Sequence, residues 1–323
     1  MAADDPARMQ AALAGLRKYQ EASRPAPPPL MPAIAAAHGA MLRDYGGAGP
    51  PILFIPSLIN PPTVLDMEGR SLLRWLAAQG RRVLLLDWGW PTAARHGLDV
   101  AGHVEQIVLP LMADLGEPAD LVGYCLGGTM ALAAGQRGPA RRIATIATPW
   151  HFDGFPEPAR AGLAALWQGA EPAARSLGVL PMEVLQSAFW SLDPARTVAK
   201  FEAFAALDGE AARTFVLLED WANDGPPVPL AAARELFERF FANDAPGRGE
   251  WRVADSIIDP DRLACPLLNI VSTTDRIVPA ASAPRAGERL ELDLGHVGMI
   301  VGSHARQTLW EPLAGWLSQP TSN

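Results

Sequence analysis

At residues 123–128 the chain reads Gly-Tyr-Cys-Leu-Gly-Gly, the pattern of a nucleophile elbow with cysteine in place of serine. The apolar run at 120–122 predicts a strand before it, and the small-residue run at 129–134 predicts a helix after it. In such a turn, glycines let strand and helix backbones approach closely. The first N–H groups of the helix then favour a thiolate or an oxyanion. We therefore predict that Cys125 is a nucleophile rather than an inert buried thiol.

Short apolar runs alternate with helical segments on both sides of the elbow. This alternation predicts a mostly parallel sheet with helices on both faces, and it predicts reactive groups at the carboxyl ends of the strands. The predicted strands occupy 52–55, 82–87, 120–122, 143–147, 267–271 and 289–292, and the predicted helices between and after them occupy 71–79, 104–115, with an interruption at Pro110, and 304–317.

A cysteine at an elbow needs a histidine to take its proton and an acid to orient that histidine. Asp275 follows the strand at 267–271, and His296 follows the strand that ends near Leu292. Asp293 is an alternative to Asp275. It lies only three positions before His296, however, and is therefore poorly placed to reach the far side of the histidine ring. The order of nucleophile, acid and histidine is that of α/β-hydrolases, so the predicted triad is Cys125, Asp275 and His296.

The oxyanion hole is predicted to use the N–H of Leu126 and a second N–H from the loop after the strand at 52–55. Prolines at 56, 61 and 62 have no N–H, which leaves residues 57–60 as candidates. Among these we select Ile59.

The predicted fold is an α/β-hydrolase in three regions. Residues 1–50 hold an N-terminal helix at 8–20, a surface strap or dimer contact, and a proline-rich connector. Residues 51–149 and 250–323 form the core. Residues 150–249 form an inserted helical cap rich in Trp, Phe and Leu. The predicted apolar face of the N-terminal helix consists of Met9, Ala12, Leu13, Leu16 and Tyr19.

Composition excludes several classes of function. A net charge of -8 in 323 residues argues against a nucleic-acid partner. Residues 1–5 are acidic and lack the basic start of a signal peptide, and no apolar run has the length of a membrane span. The chain has 2 cysteines, of which Cys265 is predicted to be structural, and its histidines lack metal-ligand spacing. We expect a cytoplasmic protein with no metal and no cofactor.

Cysteine also favours transfer over hydrolysis. A cysteinyl intermediate is itself a thioester, so exchange with a coenzyme A thioester is nearly neutral in free energy and the acyl group stays activated. The thiolate is also a good leaving group. The apolar cap at 150–249 is suited to exclude water. The elbow therefore indicates acyl transfer.

Several motifs make the chain resemble the polyhydroxyalkanoate synthases, over roughly residues 50–317 and most closely the short synthases that work with a separate subunit. Thr63 stands where that family usually has tyrosine. The motifs lie at 54–60, 64–67, 71–76, 86–89, 123–129, 219–221 and 295–298.

The resemblance implies that Cys125 takes a 3-hydroxyacyl group from coenzyme A and that the 3-hydroxyl of another unit attacks that thioester. His296 would act as base and Asp275 would orient it. The implied partners are 3-hydroxyacyl-CoA as substrate, the growing polyester, and a second copy or a separate synthase subunit, at the surface of a polyester granule. Two alternatives remain open: a thioesterase or esterase with the same triad, and a non-catalytic granule-associated binding protein. No charged cluster identifies a site for the CoA phosphates.

Overall fold

The computed structural model describes residues 5–24, 26–191 and 193–320. Residues 1–4, most of the acidic opening segment, lie outside the described residues. The strands, numbered in chain order, are β1 (Ala33–Ala37), β2 (Ala40–Asp44), β3 (Ala48–Ile55), β4 (Asp66–Met67), β5 (Arg70–Ser71), β6 (Arg81–Asp87), β7 (Ala119–Tyr124), β8 (Ala140–Ile146), β9 (Val179–Leu180), β10 (Val228–Pro229), β11 (Arg252–Val253), β12 (Ser256–Ile257), β13 (Leu267–Ser272) and β14 (Glu288–Leu292).

Eight of these strands form the main sheet, in the order β1-β2-β6-β3-β7-β8-β13-β14. The pairs β1/β2 and β2/β6 are antiparallel, and every pair from β6 to β14 is parallel. The remaining strands pair as short two-residue ribbons. The sheet therefore has the mostly parallel topology of the α/β-hydrolase fold that the sequence predicts.

Helices cover both faces of this sheet. Three π-helical segments continue them, at Val104–Val108, Glu235–Phe241 and Arg306–Trp310. The helices are α1 (Pro6–Glu21), α2 (Leu72–Ala78), α3 (Val100–His103), α4 (Leu109–Asp114), α5 (Leu126–Arg137), α6 (Glu157–Leu177), α7 (Met182–Ser191), α8 (Pro194–Ala205), α9 (Gly209–Ala222), α10 (Leu230–Arg234), α11 (Gly298–Val301) and α12 (Glu311–Leu317).

The central strands separate two apolar cores because their side chains alternate between the faces. Leu53, Ile55 and Leu121 belong to the core beneath α5 and the helices of the segment at 150–249. Ile52, Phe54 and Val122, their neighbours in sequence, belong to the core beneath α2, α11 and α12. All six residues of β7 are buried, so the strand that leads to Cys125 is fixed on both faces.

The sheet begins earlier than the predicted boundary at residue 51, since β1 and β2 lie within residues 1–50. β1 reads Ala-Ile-Ala-Ala-Ala, and alanine favours helices, so its composition conceals an edge strand. His38 and Gly39 join the two strands with φ values of 49° and 83°. Two left-handed residues in a two-residue loop suit the twist of a hairpin.

The predicted helix at 104–115 is longer, and Pro110 does not break it. Helical structure runs from Val100 to Asp114, with the π segment directly before α4. Proline has no N–H for the carbonyl four residues back, and its ring crowds that carbonyl. The wider π turn accommodates both effects. Pro312 likewise follows the π segment Arg306–Trp310 in the last helix, so the sequence marks both irregular turns.

Helix α1 packs against α8 by a face that contains only part of the predicted one, namely Ala12 and Tyr19. Met9, Leu13 and Leu16 are 42%, 60% and 37% exposed. Instead, Gly15 is buried against the backbone of α8, where a Cβ would lie 1.9 Å from the carbonyl oxygen of Phe201. Tyr19 packs edge-on against the Phe201 ring at a centroid distance of 5.9 Å. The two helices can pack this closely because Gly15 has no side chain. The spacing of apolar residues along the sequence does not predict such a contact.

The segment at 150–249 holds α6 to α10, with β9 and β10 as a two-residue ribbon that the sequence did not predict. Its assignment as a separate cap remains a prediction. Among the described residues, no helix combines the length and apolar character that a membrane crossing requires.

Candidate active site

Cys125 forms the turn between β7 and α5 in a strained backbone conformation. Its φ is 55° and its ψ is -130°, which a residue with a side chain seldom adopts. The Cys125 N–H donates to the carbonyl of Ile146 on β8 at 2.9 Å. The thiol is half-buried, and it lies at the first turn of α5. This is the elbow geometry that the sequence predicts.

The glycines around Cys125 are required by close contacts. A Cβ on Gly123 would lie 2.3 Å from the Cα of Gly128. A Cβ on Gly127 would lie 2.1 Å from the carbonyl oxygen of Ile55 and 2.5 Å from that of Pro56. These are backbone atoms, so they could move away only at a large cost in conformational free energy. The start of α5 is thereby pressed against the end of β3.

We expect Gly127→Ala to lower the free energy of unfolding by about 3 kcal/mol, because the added methyl group overlaps two backbone carbonyls. Denaturant unfolding followed by circular dichroism measures this. Gly169→Ala is the matched control, since Gly169 lies in α6 with no atom within 4 Å of its added Cβ. There alanine should be neutral or stabilising by about 1 kcal/mol. Equal stability of Gly127→Ala and wild type would contradict the contact.

Asp275 and His296 form a buried pair at the carboxyl ends of β13 and β14. The His296 Nδ1 lies 2.6 Å from Asp275 Oδ2. Asp275 Oδ1 accepts the N–H groups of Ile277 at 2.7 Å and Val278 at 3.1 Å, so the loop fixes the carboxylate. Asp293, the competing acid, is exposed. Of the two carboxylates, the structure brings Asp275 to the histidine.

Tyr124, the last residue of β7, contacts the loop after β14 that carries His296. Its hydroxyl donates to the His296 carbonyl at 3.2 Å, and the two rings lie with centroids 5.0 Å apart. Ser272 donates to the carbonyl of Leu294 at 2.5 Å and secures the same loop. The position before Cys125 therefore orients the histidine, a role that the motif alone does not reveal.

Cys125 and Asp275 set the charge of His296. Burial by itself lowers the pKa of this histidine, but the neighbouring Cys125 and the Asp275 carboxylate outweigh burial and raise the pKa from 6.5 to about 10. The Cys125 side chain is also within hydrogen-bond reach of the ring. The ring is therefore an imidazolium at neutral pH, beside the sulfur on one side and the carboxylate on the other.

A raised histidine pKa stabilises the fold below the unfolded value of 6.5, and this contribution is lost as the pH rises through about 10. We expect the stability difference between wild type and His296→Gln to be largest near pH 6 and to shrink toward pH 10. Thermal unfolding at a series of pH values measures it. His304→Gln, at an exposed histidine, controls for the substitution itself. A pH-independent difference for His296→Gln would refute the raised pKa.

The loop after β3 lies beside the elbow, as an oxyanion hole requires. The N–H of Ile59, the predicted second donor, donates to Ser57 Oγ at 3.0 Å in this structure. Trp88 Nε1 donates to the carbonyl of Pro56 at 3.0 Å and anchors the start of the loop. The roles of Leu126 and Ile59 as donors remain predictions. The sequence did not predict that the side chains of Ser57 and Trp88 hydrogen-bond to this loop. The three prolines, which have no N–H groups, are the sequence feature that indicates a need for such side-chain bonds.

Helix α9 packs against the same apolar core as Cys125. Its Leu217, Leu218 and Trp221 pack in the same cluster as Cys125. A cavity of about 1240 Å³ lies between α1 and α9, with Thr63, Leu217 and Trp221 in its wall. The triad residues do not line this cavity.

Two other groups of reactive side chains lie outside the triad. Cys265 is a free, half-buried thiol, and burial raises its pKa, which suits the predicted structural role. His151, Asp153 and Asp244 have possible ligand atoms within 4.8 Å of one another, a grouping that their sequence spacing does not suggest. Asp244 already accepts the N–H of Phe152 at 2.6 Å.

Sequence comparison finds poly(3-hydroxyalkanoate) polymerase subunits among the relatives of this chain. The chain is 28% identical to the poly(3-hydroxyalkanoate) polymerase subunit PhaC of Haloferax mediterranei and 28% identical to that of Allochromatium vinosum, in each case over 83% of this chain. It is 27% identical to the subunit of Synechocystis over the same share. The matched regions span 58%, 81% and 78% of those proteins, respectively. No protein-family model matches the chain.

Structure comparison finds α/β-hydrolases. An esterase from Thermogutta terrifontis matches with a TM-score of 0.57 at 16% identity, over 92% of this chain and 100% of that chain. An enol-lactonase from Burkholderia xenovorans matches with a TM-score of 0.52 at 18% identity, over 89% and 100%. These likenesses establish the fold. The chain is thus similar in sequence to poly(3-hydroxyalkanoate) polymerase subunits, and its fold is that of the α/β-hydrolases.

Proposed function

We propose that this homologue of the poly(3-hydroxyalkanoate) polymerases is an acyltransferase that builds a polyester from 3-hydroxyacyl-CoA through thioesters on Cys125. The observation that carries the proposal is a cysteine elbow beside the buried His296 and Asp275 pair. The names of the relatives supply the substrate class, and the elbow with its pair supplies the chemistry.

In the first half-reaction the Cys125 thiolate attacks the acyl carbonyl of the CoA thioester. A bond forms between the carbonyl carbon and the Cys125 sulfur, and the bond to the CoA sulfur breaks. The imidazolium of His296 gives its proton to the departing CoA thiolate. The N–H of Leu126 and an N–H of the loop after β3, with Ile59 as the predicted donor, stabilise the tetrahedral oxyanion.

In the second half-reaction the 3-hydroxyl of another unit attacks the thioester on Cys125. His296 takes the hydroxyl proton, an ester bond forms, and Cys125 leaves as a thiolate. Acylation removes the negative charge of Cys125, one of the groups that raise the His296 pKa. The pKa of His296 therefore falls in the acyl-enzyme. The neutral ring can then accept the proton of the attacking 3-hydroxyl.

The apolar surroundings of Cys125 favour the hydroxyl over water as acceptor. Leu217, Leu218 and Trp221 pack against the same apolar core as Cys125, whose thiol is half-buried. Water that is kept away from a thioester cannot hydrolyse it. The relatives are named as polymerase subunits, and we propose that this chain likewise acts with a second copy or a separate subunit.

Incubation of the full chain with 3-hydroxybutyryl-CoA tests the proposal. Free CoA is followed with a thiol reagent, products are separated by chromatography, and the protein is analysed by intact mass. We expect CoA release, oligomers of 3-hydroxybutyrate, and a 3-hydroxybutyryl adduct on Cys125. CoA release with free 3-hydroxybutyrate as the sole product would establish a thioesterase instead. Absence of both CoA release and an adduct would establish a non-catalytic binding protein.

A further inference from the structure

We infer that Asn60 is a positioning residue that ties the oxyanion loop, residues 57–60, to the C-terminal end of α9. This inference rests on the proposed function, since it concerns the donors that would stabilise the oxyanion. Asn60 does not touch the reacting atoms in this assignment. It acts through the backbone on which Ile59 and its neighbours lie.

The side-chain amide of Asn60 binds the end of α9. Its Nδ2 donates to the carbonyls of Trp221 at 3.3 Å, Ala222 at 3.3 Å and Asp224 at 3.2 Å. The last carbonyls of a helix have no partners within the helix, so they are free to accept such bonds. Asn60 itself has a φ of 62°, a left-handed conformation that asparagine tolerates better than most residues. Both its backbone and its side chain thus suit the position.

A second bond runs in the opposite direction. Trp221 Nε1 on α9 donates to the carbonyl of Pro61 at 2.8 Å. The backbones also meet closely, since a Cβ on Gly225 would lie 3.2 Å from the Cα of Asn60. The end of α9 and the end of the oxyanion loop are therefore joined by reciprocal hydrogen bonds and by backbone contact.

The start of the loop is anchored independently. Trp88 holds the Pro56 carbonyl, and Gly127 lets the first turn of α5 lie against the same carbonyl. The prolines at 56, 61 and 62, which flank the loop, have no N–H groups with which to hold its two ends. Within the loop Leu58 is buried and the Ile59 N–H donates to Ser57 Oγ, and the side-chain bonds of Asn60 fix its far end.

This arrangement couples α9 to the oxyanion donors. Leu217, Leu218 and Trp221 of the same helix pack against the apolar core that Cys125 also packs against. The last carbonyls of α9 accept the hydrogen bonds of Asn60. One helix thereby contributes to the core beside Cys125 and fixes the end of the loop that carries the predicted donors.

Two variants of Asn60 test the inference. Asn60→Gly keeps the left-handed backbone and removes the three hydrogen bonds, and Asn60→Asp keeps the shape but turns an acceptor toward three carbonyls. We expect acylation of Cys125 by 3-hydroxybutyryl-CoA to slow by about 10- to 100-fold, through kcat with little change in KM, because the donors shift relative to the oxyanion. Alkylation of Cys125 by iodoacetamide forms no oxyanion, so its rate should match wild type.

Asn223→Ala is the matched control. Asn223 also lies at the end of α9, but its amide donates to Glu219 and not to the loop. Its variant should acylate at the wild-type rate. Unchanged acylation in Asn60→Gly, or an equal loss in Asn223→Ala, would overturn the inference.

Hydrogen exchange separates this inference from the proposed function. Amide exchange in a peptide spanning 57–60 should accelerate in Asn60→Gly and not in Asn223→Ala. If wild type forms no acyl adduct, the proposed function fails, and the exchange rates alone decide whether Asn60 holds the loop. If exchange is unchanged in Asn60→Gly, the hydrogen bonds of Asn60 to the end of α9 do not hold the loop and the inference is refuted.

Discussion

Replacing Cys125 with alanine is expected to lower the rate of CoA release from 3-hydroxybutyryl-CoA by about 10⁴- to 10⁶-fold, the range that removal of a nucleophile produces in hydrolases. Without the sulfur no acyl-enzyme forms, and the remaining oxyanion donors act only on attack by water. Intact mass should record no adduct after long incubation.

Cys265→Ala is the control for this experiment, since it removes the other thiol of the chain. Cys265 packs against the core on one face of the sheet, and Cys125 packs against the core on the other face. Its variant should release CoA and accept the acyl group at the wild-type rates. CoA release that persists in Cys125→Ala, or an adduct that disappears in Cys265→Ala, would contradict the assignment of the nucleophile.

The elbow could be predicted from the sequence because its requirements are local. A strand, a strained residue and a helix follow one another within twenty residues, and glycines occur where a Cβ would meet backbone atoms. The pairing of Asp275 with His296 is not local. It could be predicted because parallel strands deliver their carboxyl ends to one edge, which brings residues 21 positions apart to 2.6 Å.

Other features depend on contacts that a single sequence does not encode in its periodicity. The edge strand β1 consists largely of alanine and is defined by its partner β2. The packing of α1 depends on the absence of a side chain at Gly15. In the oxyanion loop, elimination of prolines left four candidates, but the hydrogen bonds of Ser57, Asn60 and Trp88 arise from segments distant in the chain. Hydrophobic patterning carries no information on such polar contacts.

Asp275→Asn is expected to slow acylation of Cys125 by about 10⁴-fold with little change in KM, because the amide reverses the hydrogen bond to the ring. Asn Oδ1 can still accept the N–H groups of Ile277 and Val278, so the loop keeps its shape. The amide NH₂ then faces His296 Nδ1, which must accept a hydrogen bond and places the ring proton on Nε2. In that tautomer Nε2 cannot take a proton from Cys125 or from a hydroxyl.

Asp293→Asn provides the matched control, since Asp293 is the other carboxylate close to His296 in sequence and is exposed. It should acylate like wild type. The charge of Asp275 also contributes to the raised pKa of His296, so NMR titration should give a lower pKa for the ring in Asp275→Asn and not in Asp293→Asn. Because this titration requires no substrate, it distinguishes a lost ion pair from general damage to the site. Equal kinetic losses in the two variants, or an unchanged His296 pKa in Asp275→Asn, would rule out Asp275 as the orienting acid.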